Sequence, residues 1–62
     1  MTRKHYEMIA ATLNEQREYA ETNEQRIEVK RAALALANTF ERDNSRFDRA
    51  RFLEACGYSE IG

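Results

Sequence analysis

From Tyr6 onward the apolar positions Tyr6, Ile9, Ala10, Leu13 and Ala20 gather on one side when residues are stepped at about 100° each, whereas Glu7, Asn14, Glu15 and Glu18 fall elsewhere. The pattern predicts an amphipathic helix over roughly residues 3 to 20. Polar Glu21-Thr22-Asn23 ends it, and Thr22-Asn23-Glu24-Gln25 fits a capping box, in which the threonine hydroxyl takes an orphan amide while glutamine reaches back. A second helix, about residues 23 to 42, carries Val29, Ala33, Leu36 and Phe40 on one stripe, with Ala32 and Ala37 on its flanks. Ile27 and Leu34 form another stripe, roughly 130 to 140° round from the first. Two stripes imply two neighbours: the first helix on one side, and the third helix or a partner chain on the other.

Asp43-Asn44-Ser45-Arg46 has turn chemistry, and Asp48 is placed to cap a third helix over about residues 48 to 56. In that register Phe47 precedes the cap and Phe52 is the fourth helical residue, the pairing of a hydrophobic staple. Ser45 with Asp48 offers a rival cap that would begin the helix three residues earlier. Phe52, Leu53 and Cys56 share one face, Gly57 supplies the left-handed residue that closes many helices, and Tyr58 is positioned to fold back on that closure.

The predicted architecture is all-α: two long antiparallel helices joined near Glu21 to Asn23, with a short C-terminal helix packed across their end, as one helical domain over residues 1 to 62. The long helices would span ~27 and ~30 Å, more than a ten-residue helix covers. The uncovered part is the expected oligomer face, with Met8, Thr12, Tyr19, Ile27 and Leu34 as its candidates. Every stretch except Ser59 to Gly62 has enough apolar residues to be ordered.

Size sharpens that expectation. A chain of 62 residues buries only ~60 % of its unfolded surface, so its core needs a supplement. One cysteine excludes an intramolecular disulfide, and one His with one Cys falls short of a zinc site, which leaves a homo-oligomer as the expected state. No run of apolar residues spans a bilayer, and Thr2-Arg3-Lys4-His5 runs into Tyr6-Glu7 without the apolar core of a signal peptide, so the expected location is cytoplasmic.

Candidate chemistry is sparse. His5 lacks a second ligand or a fixed carboxylate and reads as a solvated side chain. Cys56 reads as a small buried apolar residue, with a reactive thiol near a basic cluster as the alternative. Glu15, Glu18, Glu28 and Glu41 have the spacing of solvated helix faces, so no catalytic residue, metal site or cofactor is expected. Arg42, Arg46, Arg49 and Arg51 remain, interleaved with Glu41, Asp43, Asp48 and Glu54, and the cancelled charge argues against nucleic acid. Arg49 falls on the face of Phe52 and Leu53, where its stem covers core and its head can pair with a carboxylate or orphan carbonyl of the second helix. Arg46, Arg49 and Arg51 are accordingly either structural or contacts for an anion or an acidic partner.

TRKHYEMIA near the start and FDRARFLEACG near the end resemble a family of small tailed-phage and prophage proteins. Its members open near T-R-x-x-[YF]-x-x-I-A and close in D-N-x-R-F-D-x-x-R-F-L-x-A-C-G. Asp43, Asn44, Arg46, Phe47, Asp48, Arg51, Phe52, Leu53, Ala55, Cys56 and Gly57 carry the second motif here, and Ser45 stands where proline is frequent. The resemblance implies an accessory protein acting inside a bacterium, and implies no substrate. The leading expectation is a non-enzymatic protein that binds a host or phage protein. The alternatives are a nucleic-acid-associated regulator using Arg46 to Arg51, and an oligomer that sequesters a nucleotide. The turn lacks the glycine common in helix-turn-helix proteins, which argues against the regulator.

Overall fold

The structure, a computed structural model, describes residues 2 to 58. The expectation for Ser59 to Gly62 lies outside the described residues. Three helices and no strand occur among the described residues: α1 Arg3–Tyr19, α2 Asn23–Asp43 and α3 Arg49–Ala55. Each begins where its sequence supplies an acceptor for orphan amides. Thr22 Oγ1 accepts from Gln25 N at 3.1 Å, and Gln25 Oε1 accepts from the amides of Thr22 and Glu21 at 3.3 and 2.7 Å, which is the box read from the sequence. α1 starts on a second box that the sequence reading missed: Thr2 Oγ1 accepts from His5 N at 3.4 Å, and His5 Nδ1 accepts from Thr2 N at 3.2 Å. His5, read as a solvated side chain without a role, is therefore a helix-starting residue, with imidazole in place of the usual Glu or Gln.

α1 and α2 are antiparallel. A connection of residues 20 to 22 joins them, and Tyr6 in the second turn of α1 meets Phe40 near the end of α2, with ring centroids 4.9 Å apart. α3 enters at that open end, where Phe52 meets Phe40 at 5.5 Å, but its closing Gly57 lies against Asn14 and Arg17, about two to three turns further along α1 than Tyr6. It thus runs back along the groove of the hairpin in the same sense as α1, instead of lying across the end as expected. The staple sets this entry angle, and Ala10, Ala33 and Ala37, all without exposure, let three helices approach closely.

That placement rearranges the expected stripes of α2. Ala37, expected on a flank, is fully buried, while Leu36, expected on the main stripe, is half-buried and Ala32 is exposed. The buried line is drawn toward α3, because the centre of a three-helix core lies between both neighbours and not opposite one of them. Leu53 and Cys56 fill that centre from α3, at 1 % and 0 % exposure.

Candidate functional site

Residues 43 to 58 fold from a sequence of local bonds. Asn44 Oδ1 accepts from Arg46 N at 3.0 Å and Asn44 O from Phe47 N at 3.0 Å, closing a tight turn before α3. Asp48 Oδ1 then accepts from Arg51 N at 3.0 Å, so Asp48 caps the helix and the rival start at Ser45 is not used. Phe47 and Phe52 close the staple at 5.4 Å. At the other end Tyr58 N donates to Leu53 O at 2.8 Å and Gly57 N to Glu54 O at 3.0 Å, the paired bonds of a Schellman motif, with Gly57 at φ +96°. Tyr58 packs on the core and lies under Arg17, whose guanidinium carbon is 5.8 Å from its ring centroid. Burial raises the Tyr58 phenol above its ordinary range, with Arg17 acting in the opposite direction.

Between this segment and the start of α1 lies an open cleft of about 580 Å³. Arg3, Tyr6, Glu7 and Ala10 form the α1 wall; the other wall includes Arg46, Phe47 and Asp48 from the turn, and Arg51 and Ala55 from α3. Tyr6 and Phe47 are half-buried and stand edge-to-face at 4.8 Å, giving an aromatic surface at the junction of the walls. Three arginines against two carboxylates leave one net positive charge around the cleft. The arginines are not equivalent. Arg3 Nε is 3.2 Å from Glu7 Oε1, whereas among the described residues the guanidinium groups of Arg46 and Arg51 have neither a hydrogen bond nor an ion pair.

Arg49 belongs elsewhere. It is half-buried and its Nη1 donates to Asn38 Oδ1, a side-chain amide of α2. Of the three arginines proposed as anion or partner contacts, the structure brings Arg46 and Arg51 together and ties Arg49 to the bundle. Arg3, Tyr6 and Glu7 were not foreseen as their companions, because only the docking of the third helix puts the chain's two ends on one cleft.

The five candidate interface residues do not form one patch. Met8 (58 % exposed), Thr12 and Tyr19 (69 %) lie on the outer side of α1, and Thr12 Oγ1 donates to Met8 O at 3.0 Å. Leu34 is half-buried and packs against the core. Ile27, two turns nearer the hairpin tip on the same stripe, is 54 % exposed. Cys56 is a buried free thiol whose pKa burial pushes up to about 11. Among the described residues there is no cluster of three or more His, Cys, Asp or Glu that could hold a metal ion, and no helix is long and apolar enough to cross a membrane.

Compared with protein-family models, curated proteins and solved structures, the chain matches none.

Proposed function

We propose that this is a non-enzymatic accessory protein of phage type that acts inside a bacterial cell by binding a host or phage protein through the α1–α3 cleft. The observation that carries the reading is the pair of guanidinium groups, Arg46 and Arg51, which have no partner among the described residues and stand beside the aromatic wall of Tyr6 and Phe47. Arginine and aromatic side chains together are the common anchors of protein recognition. The family resemblance supports the same place: Arg3, Tyr6 and Ala10 come from the opening motif and Arg46, Phe47, Asp48 and Arg51 from the closing one. Nucleic-acid binding is the weaker reading, because Arg49 is held by Asn38 and Glu7 and Asp48 share the cleft walls. A homo-oligomer formed through the outer side of α1 is compatible with this function and is supported by the exposure of Met8 and Tyr19.

The test compares immobilised wild-type protein with an Arg46→Gln, Arg51→Gln double variant of equal melting temperature as baits in a bacterial lysate. A protein retained by the wild type and lost from the variant is the expected result. Retention of the same proteins by both baits would remove the cleft from the binding reading.

A further inference from the structure

We propose that the cleft takes a carboxylate from an acidic peptide segment, an Asp or Glu flanked by an apolar residue, with the carboxylate between Arg46 and Arg51 and the apolar neighbour against Tyr6 and Phe47. This deepens the reading above and rests on it. The choice among anions follows from what the walls hold and what they have already used.

A guanidinium is a planar fork that matches the two oxygens of a carboxylate, and it is also a good partner for phosphate. Two features separate the two ligands. Glu7 and Asp48 line the same cleft, so a ligand meets two fixed negative charges as well as three positive ones. Repulsion grows with ligand charge, and one net positive charge is balanced by a single carboxylate but not by a phosphate bearing close to two. Two backbone donors beside the cleft are already taken, the amide of Arg46 by Asn44 Oδ1 at 3.0 Å and that of Arg51 by Asp48 Oδ1 at 3.0 Å.

The aromatic wall argues for a ligand with an apolar body beside its charge. Tyr6 and Phe47 are half-buried although both belong to the aromatic cluster, so each keeps ring surface that the fold has not covered. A free acetate-sized anion would leave that surface wet. An acidic residue with an apolar neighbour covers it while its carboxylate meets the arginines, and about 580 Å³ has room for such side chains.

The test is an NMR titration of the ¹⁵N-labelled full chain with three probes: acetyl-Leu-Glu-Phe-amide, the same peptide with Glu replaced by Gln, and inorganic pyrophosphate. The Glu peptide is expected to move the amide signals of Tyr6, Arg46, Phe47 and Arg51 and to saturate. The Gln peptide and pyrophosphate should bind at least about tenfold more weakly, and the Arg46→Gln, Arg51→Gln variant should lose the same factor for the Glu peptide. Equal binding of Glu and Gln peptides, tighter binding of pyrophosphate, or no response to the Glu peptide overturns the proposal. If the peptide fails while capture from lysate still depends on Arg46 and Arg51, the carboxylate assignment falls and the binding site stands. If capture ignores both arginines, the site itself falls.

Discussion

Tyr6 and Phe47 stand with ring centroids 4.8 Å apart and planes inclined at 63°, and this contact joins the first helix to the turn that precedes the last. Both rings also touch Phe40, and Phe52 touches both Phe40 and Phe47, so four aromatic residues from three helices and a turn form one cluster at the open end of the hairpin. The cluster is core on one side and cleft wall on the other. Stability and recognition therefore meet in the same rings, and the two can be separated by choosing residues at different depths.

Phe52 is 4 % exposed, and Phe52→Ala should cost about 3 to 5 kcal/mol, a large part of what a small domain has. Phe47→Ala should cost less, because Phe47 is only half-buried. Urea unfolding followed by circular dichroism measures both. A Phe52→Ala protein that melts like the wild type would show that the staple is not part of the core.

Asp48 and Ser45 provide a paired test of the cap. Asp48→Ala removes the acceptor for Arg51 N and should lower stability by about 0.5 to 2 kcal/mol. Ser45→Ala should be nearly neutral, since α3 is capped three residues later. The reverse order in chemical denaturation would place the helix start at Ser45.

Gly57 closes α3 at φ +96°, where an L side chain is strained. A Cβ there would also run into Arg17 Nε and lie 2.5 Å from Asn14 Oδ1. Gly57→Ala should cost about 1 to 3 kcal/mol from the backbone alone. Adding Arg17→Ala to Gly57→Ala should recover the part of the steric share that Arg17 causes and leave the backbone share. Full recovery in the double variant would show that the positive φ carries no cost.

Cys56 titrates at about 11 in the folded chain against an ordinary 9.0, because burial disfavours the thiolate. Below pH 9 both states hold the proton and the stability is fully present. As pH rises through the window from 9 to 11 the unfolded chain loses its proton first, so stability should fall by up to about 1.4 kcal/mol per pH unit. Subtracting a Cys56→Ala profile isolates this slope from the rest of the chain. Parallel profiles would mean that the thiol is not buried in solution.

Leu34 and Ile27 share a stripe and should respond differently. Leu34→Lys places a charge against the core and should destabilise the fold, whereas Ile27→Lys should be nearly neutral. If the chain self-associates through α1, Met8→Glu with Tyr19→Glu should lower the sedimenting mass while leaving melting of the bundle close to wild type. Unchanged mass in that double variant, with the wild type above a monomer, would move the interface off α1.

Contacts made within a few residues follow from residue type and spacing. The Thr22–Gln25 box, the Asp48 cap, the Phe47–Phe52 staple and the Gly57 closure were all legible, because each bond spans three to five positions and depends on residue type and spacing. The Thr2–His5 box is just as local and was missed only because imidazole stands in for a carboxamide. The antiparallel pair followed from amphipathic periodicity and a short connection. The course of α3 back along the hairpin, the burial of Ala37, the packing of Leu34 against the core, the bond from Arg49 to Asn38 and the cleft shared by Arg3, Tyr6, Arg46 and Arg51 arise when the three helices dock. A helical pattern says which face is apolar but not which neighbour covers it, and the neighbour is chosen by the fit of three helices at once.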